Sequence, residues 1–199
     1  MGKSIDKLHL VKRSEKLSFL EVIGDDGSST YHRMQGFTNM EFSHNTKEHT
    51  RQYVDEDFER TDTVGHSKGV SYEFEHYKDD PALEEIVKIT ESEATGLDAV
   101  RNIVTVDMTT KNLSSGNTYS ADATIRPYTI APGSNGGSTE CMTYSGDFKS
   151  RGPEEKIKIS TMDKDWLTIT VPELGAKTVS ALSEETTAST ISLSKAKEK

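Results

Sequence analysis

Six histidines, one cysteine and several adjacent carboxylates are the residues of this sequence whose types could support catalysis or metal binding. His9, His32, His44, His49, His66 and His76 include no pair one helical turn apart with a glutamate between them. His44 and His49 stand five apart in a charged stretch, a poor template for a tetrahedral metal site. Cys141 has no histidine near it in sequence and precedes the alternating Met142, Tyr144 and Phe148, so a structural thiol is expected rather than a nucleophile. Phosphate-cradling loops need a strand before and a helix after, and neither G-x-x-x-x-G-K-[ST] nor G-x-G-x-x-G occurs. The neighbours Asp55–Glu56 and Asp79–Asp80 are explained by solvation and helix capping. The expectation is a protein that is not an enzyme and holds no metal or cofactor.

The elements that would position such residues are mostly strands. Val70, Tyr72 and Phe74 alternate with Ser71, Glu73 and Glu75, the period of a half-buried strand. Asp80-Pro81 then starts a helix over about 80–91. Asp80 can cap the first turn, Pro81 loses no hydrogen bond there, and Leu83, Ile86 and Val87 share one face of this flanking helix. Arg101–Thr110 carries apolar groups on both faces and reads as a central strand. Tyr119–Ile130 reads as its partner, with Pro127 restricted to an edge or a bulge. Two apolar pulses, LHLV and LSFLEVI, precede a turn at Gly24–Gly27. PGSNGGS at 132–138 is a loop signal, and Glu140–Phe148, Lys156–Thr161 and Trp166–Val171 read as three successive antiparallel strands.

Between 45 and 62 neither period is sustained, yet Tyr53, Val54 and Phe58 punctuate the charge. This arm either packs its aromatics on its own domain as a hairpin loop or lies on a neighbouring subunit. An irregular stretch of that length inside a compact domain is unusual.

Leu, Ile, Val and Phe supply 39 of the 199 residues, a thin core. Visible strand patterns argue against disorder, so the shortage points to a β structure that buries more surface against copies of itself; an independent polar β-sandwich is the alternative. The net charge of -9, from 33 acidic and 24 basic residues, disfavours a phosphate-neutralising surface. One cysteine allows no intramolecular disulfide, and no apolar run is long enough for a membrane helix. The fold class expected is mainly β: a two-layer antiparallel sandwich or barrel over 1–172 with one flanking helix and a long inter-subunit loop. A C-terminal extension of low intrinsic order follows at 173–199.

The run YVDEDFERTDTVGHSKGVSYEFEHYKDDPALEEI, followed by RNIVTVD, resembles the middle of the major tail proteins of long-tailed bacteriophages, and the likeness extends from about Leu17 to Val171. That resemblance implies a tail-tube subunit, related to the tube proteins of contractile tails and type VI secretion systems. It implies hexameric rings stacked around a lumen that passes DNA without specific binding. It further implies tape-measure, tail-terminator and distal-tail partners, a place in the virion after assembly in the host cytoplasm, and no membrane. The family's extended loop reaches toward adjacent rings, and the match carries that role onto 46–61, here Tyr53, Val54, Asp55, Glu56, Phe58 and Arg60. The alternative of a different class is a monomeric β-sandwich binding module, for instance for carbohydrate, with the arm and PGSNGGS as its recognition loops.

Overall fold

The β-branched run Ile103, Val104 and Val106 builds the strand on which the sheet is centred, in a computed structural model that describes residues 9–114, 117–137 and 139–172. The extension expected at 173–199 lies outside the described residues. In chain order the strands are β1 (Lys16–Ile23), β2 (Ser29–Arg33), β3 (Phe37–Arg51), β4 (Arg60–Glu75), β5 (Val100–Ser114), β6 (Thr118–Gly137), β7 (Met142–Ser150), β8 (Glu155–Thr161) and β9 (Thr168–Ile169), with helix α1 (Pro81–Glu91) after β4. They form one antiparallel sheet of order β3-β4-β7-β6-β5-β1-β2-β9, and β8 pairs with β6. The mainly-β architecture with one helix is therefore as expected.

One edge of β6 has two successive partners. β8 covers Tyr119–Ile125, and β7 takes over at Tyr128. Pro127 sits at the changeover, where its carbonyl accepts from the Arg151 amide at 2.9 Å and its nitrogen faces a gap in the ladder. A proline in a central strand is tolerated because no donor is needed at that point. At the other end β8 and β9 meet through a bridge between Ser160 and Thr170, so the sheet curls until its strands surround a core.

Alternation splits the apolar residues between two cores. β5 sends Ile103 to one face and Val104 and Val106 to the other. The first core lies under α1 and contains Leu20, Val70, Tyr72, Phe74, Tyr144 and Phe148; the second lies inside the curl with Phe19, Ile125, Ile157, Ile159 and Trp166. Asp80 caps α1 by accepting from the amides of Ala82 at 2.9 Å and Leu83 at 3.3 Å. The helix ends at Glu91, short of Gly96. Leu83, Ile86 and Val87 are buried against the sheet, each such side chain contributing about 1.5–3 kcal/mol by transfer from water. Glu85 is buried beside them and accepts from Arg101 Nε at 2.7 Å, tying helix to β5. Gly146 faces the first core, where a Cβ would stand 2.6 Å from the Tyr72 hydroxyl and 2.5 Å from the Ala131 carbonyl; glycine is what lets the tyrosine ring lie there.

Several expectations are corrected. The segment 45–62 is not irregular: 45–51 belongs to β3 and 60–62 to β4, and only 52–59 is turn. Its ladder forms without an apolar alternation because neither face meets a core. PGSNGGS continues β6 as far as Gly137, pairing with β7 beyond a register shift between Pro132 and Asn135. Backbone bonds alone suffice for that extension, helped by Thr143 Oγ1 donating to the Gly136 carbonyl at 3.2 Å. β7, β8 and β9 are all strands but do not form a successive ladder: β7 joins β4 and β6, β8 joins β6, and β9 joins β2, with only the isolated antiparallel bridge Ser160–Thr170 joining the backbone of β8 to the residue after β9. Trp166 is buried but sits before β9 at φ 54, not in a strand. Of the first pulse, Leu10 and Val11 are exposed and outside any element.

Candidate functional site

The β3–β4 hairpin leaves the body of the molecule. β7 pairs with β4 only from Gly69 to Glu75, so residues 44–51 and 60–68 form a two-stranded ribbon with no third strand among the described residues. Eight residues of strand carry its tip about 27 Å beyond the sheet. From Asn45 to Val64 every residue is exposed except Glu56, which is half-buried. Among the described residues β3 is also the last strand on its side, an edge whose outer backbone groups have no ladder partner. Lys68 anchors the ribbon's base by donating to Glu154 at 2.6 Å, with Arg126 at 3.4 Å from the same carboxylate; Lys68 holds the Glu154 carboxyl below its ordinary pKa.

The six tip residues named from sequence divide into two groups. Glu56 and Arg60 form an ion pair with each other, the Glu56 amide donates to the Tyr53 carbonyl at 3.1 Å, and Gln52 Nε2 donates to the Glu56 carbonyl at 3.1 Å. These contacts shape the turn. Tyr53, Val54, Asp55 and Phe58 are what the turn presents: Val54 is fully exposed, Phe58 is 82% exposed, and Tyr53 lies with the Arg51 guanidinium 5.8 Å from its ring centre. Arg51 in turn pairs with Asp62 at 2.7 Å. Val64 adds another exposed apolar group on the ribbon. A lone hairpin is marginal in water, and one that displays apolar groups without a core gains its stability from whatever covers it.

A second surface was visible in sequence only as the polar half of an alternation. Opposite the first core, the register places Glu41, Ser71 and Asp147 in one row and Asn39, Glu73 and Ser145 in the next. Glu75 and Lys149 belong to the same face, so four carboxylates face one lysine there. The surface is broad, polar and acidic. Among the described residues no group of three or more histidines, cysteines or carboxylates could hold a metal ion. Trp166 is 2% exposed and offers no stacking platform to a sugar.

No known family model matches the chain, and no curated protein sequence matches it. Among solved structures it shares its fold with a chain from the tail of an empty GTA particle refined in C6 symmetry, at a TM-score of 0.52 and 13% identity over 73% of this chain and 98% of that one. Weaker likenesses are to a chain in the virion of a native gene transfer agent, at 0.49, 12% identity, and 74% and 98% coverage, and to one in a six-fold symmetrised anti-feeding prophage baseplate, at 0.40, 11% identity, and 76% and 97% coverage.

Proposed function

We propose that this chain is a structural subunit of a phage-type tail tube, in which six copies form a ring, rings stack, and DNA passes through the lumen. The observation that carries this reading is the ribbon of residues 44–68, exposed on both faces and bearing uncovered apolar groups at its tip. Such an element is costly for a monomer and useful between copies. The tail-protein resemblance of residues 17–171 and the fold shared with a chain of a six-fold tail support the same assignment. The chain acts by assembly rather than by catalysis.

The acidic face of β3, β4 and β7 is the lumen surface in this reading. Carboxylates repel phosphates and deny them the counterion release that drives sticking, so DNA slides past without specific binding. Tape-measure, terminator and distal tail proteins are the partners at the two ends, and the virion is the location. Negative-stain microscopy of the purified full chain tests the reading: rings or tubes are expected, and a featureless population of single subunits at high concentration contradicts it.

A further inference from the structure

The acidic tip has a complementary surface elsewhere on the same chain. A cleft of about 500 Å³ lies where the exposed turn Arg13–Glu15 and β2 meet the start of β3. Arg13, Lys16 and Arg33 supply its charge, Met34, Phe37 and Met40 its half-buried apolar floor, and no carboxylate lines it. The Lys16 charge is matched by Asp107, whereas Arg13 and Arg33 have no ion-pair partner among the described residues: Arg13 donates to the Lys16 carbonyl and lies 5.8 Å from the Phe42 ring centre, and Arg33 donates to the Asp165 carbonyl. At the tip, Asp55, Asp57 and Glu59 likewise have no cationic partner among the described residues, because Arg60 is taken by Glu56 and Arg51 by Asp62. A larger hollow of about 800 Å³ beside Tyr77 and Leu167 is a poorer receiver, since Asp79 and Asp80 offset the charges of Arg33 and Lys78 that line it with them.

Cleft and tip lie at opposite ends of β3. Phe37 and Met40 line the cleft, and Arg51 leads into the tip, which puts cleft and tip roughly 37 to 48 Å apart along an extended strand. A tip cannot reach the cleft of its own chain. We infer that the acidic hairpin tip of one copy, with Val54 and Phe58 as its apolar anchors, docks in the cationic cleft of another copy; this rests on the tube-subunit reading above. The contact is head-to-tail: each copy that gives its tip keeps its own cleft free for the next. Heterologous contacts of this kind close into a ring or extend as an open stack according to the rotation between copies, and in the tube-subunit reading this one links successive rings. The length of β3 bounds the repeat along the stack at roughly 50 Å.

Charge reversal tests the pairing in the full-length chain. Arg13→Glu with Arg33→Glu is expected to raise the concentration needed for tube formation by about tenfold or more, with Asp55→Lys and Asp57→Lys doing the same, and all four together restoring assembly. Circular dichroism melts check that each variant stays folded, and Arg13→Glu alone, in an exposed turn, is the deciding variant if the double change disturbs folding. If the wild type forms tubes and the cleft variants form them equally well, the cleft is not the receiver and this inference fails while the tube reading stands. If cleft reversal blocks assembly, tip reversal fails to restore it, and the wild-type subunit retains a labelled DNA oligonucleotide that the cleft variant loses, the cleft belongs to nucleic acid and the inference also fails. If the wild type forms neither rings nor tubes, the tube reading itself fails and takes this contact with it.

Discussion

β4 passes through two environments along its length, and the contrast between them organises the molecule. From Gly69 to Glu75 it has β3 on one edge and β7 on the other, and Val70, Tyr72 and Phe74 are buried under α1. From Arg60 to Lys68 it has β3 alone, and Val64 lies open to water. The same ladder of backbone bonds runs through both halves, but only the first half is stabilised by burial. One strand is therefore held by the core at one end and by pairing with β3 alone at the other.

The largest effect is expected in the body. Replacing Glu85 by alanine strips the buried Arg101 guanidinium of its carboxylate and leaves an uncompensated charge, at a cost of about 3–5 kcal/mol. Chemical denaturation of the subunit measures it, and an effect below about 1 kcal/mol would mean that water reaches the pair. On the ribbon the expectation is reversed. Changing Tyr53 and Phe58 together to alanine should alter subunit stability by no more than about 0.5 kcal/mol, because both are exposed on the subunit, while impairing ring stacking if the proposed tube contacts are theirs. A double variant that unfolds as a monomer would assign the tip to its own domain.

The smallest expected effect concerns pH. The Lys16 ammonium, and then the Thr109 hydroxyl, hold the Asp107 carboxyl at a pKa of about 2, below its ordinary value of about 3.8. A depressed carboxyl stabilises the fold above its unfolded pKa, and that contribution is lost as the pH falls from about 4 to about 2. Asp107→Asn should therefore cost within about 1 kcal/mol at neutral pH, as for ion pairs open to solvent, and should flatten the acid limb of the stability curve. An unchanged limb would show that other carboxylates control acid unfolding.

Where burial dictates residue type, the fold is legible in the sequence. Val70-Tyr72-Phe74, the central β5 and the Leu83-Ile86-Val87 face of α1 all meet the core, and each stands where its pattern predicts. Backbone pairing alone leaves no such trace. The ribbon at 45–51 and 60–62 and the glycine-rich end of β6 are ladders whose side chains face water, so no apolar period marks them. The branching of β6 at Pro127 and the meeting of β8 with β9 are long-range choices that local propensity does not encode. At the candidate site, the exposed residues Tyr53, Val54 and Phe58 are legible because apolar groups amid charge are anomalous. The cationic cleft is not, since it draws on the turn before β1, on β2 and on β3.

The central claim is that the ribbon is an element of the assembly rather than of the subunit. Amide hydrogen exchange of the full chain, unassembled and assembled, tests it most directly. The account predicts rapid exchange at 44–68 in the free subunit beside slow exchange at 69–75, and strong protection of 44–68 once rings stack. Equal protection of both halves of β4 in the free subunit, or no gain at 44–68 on assembly, would contradict it.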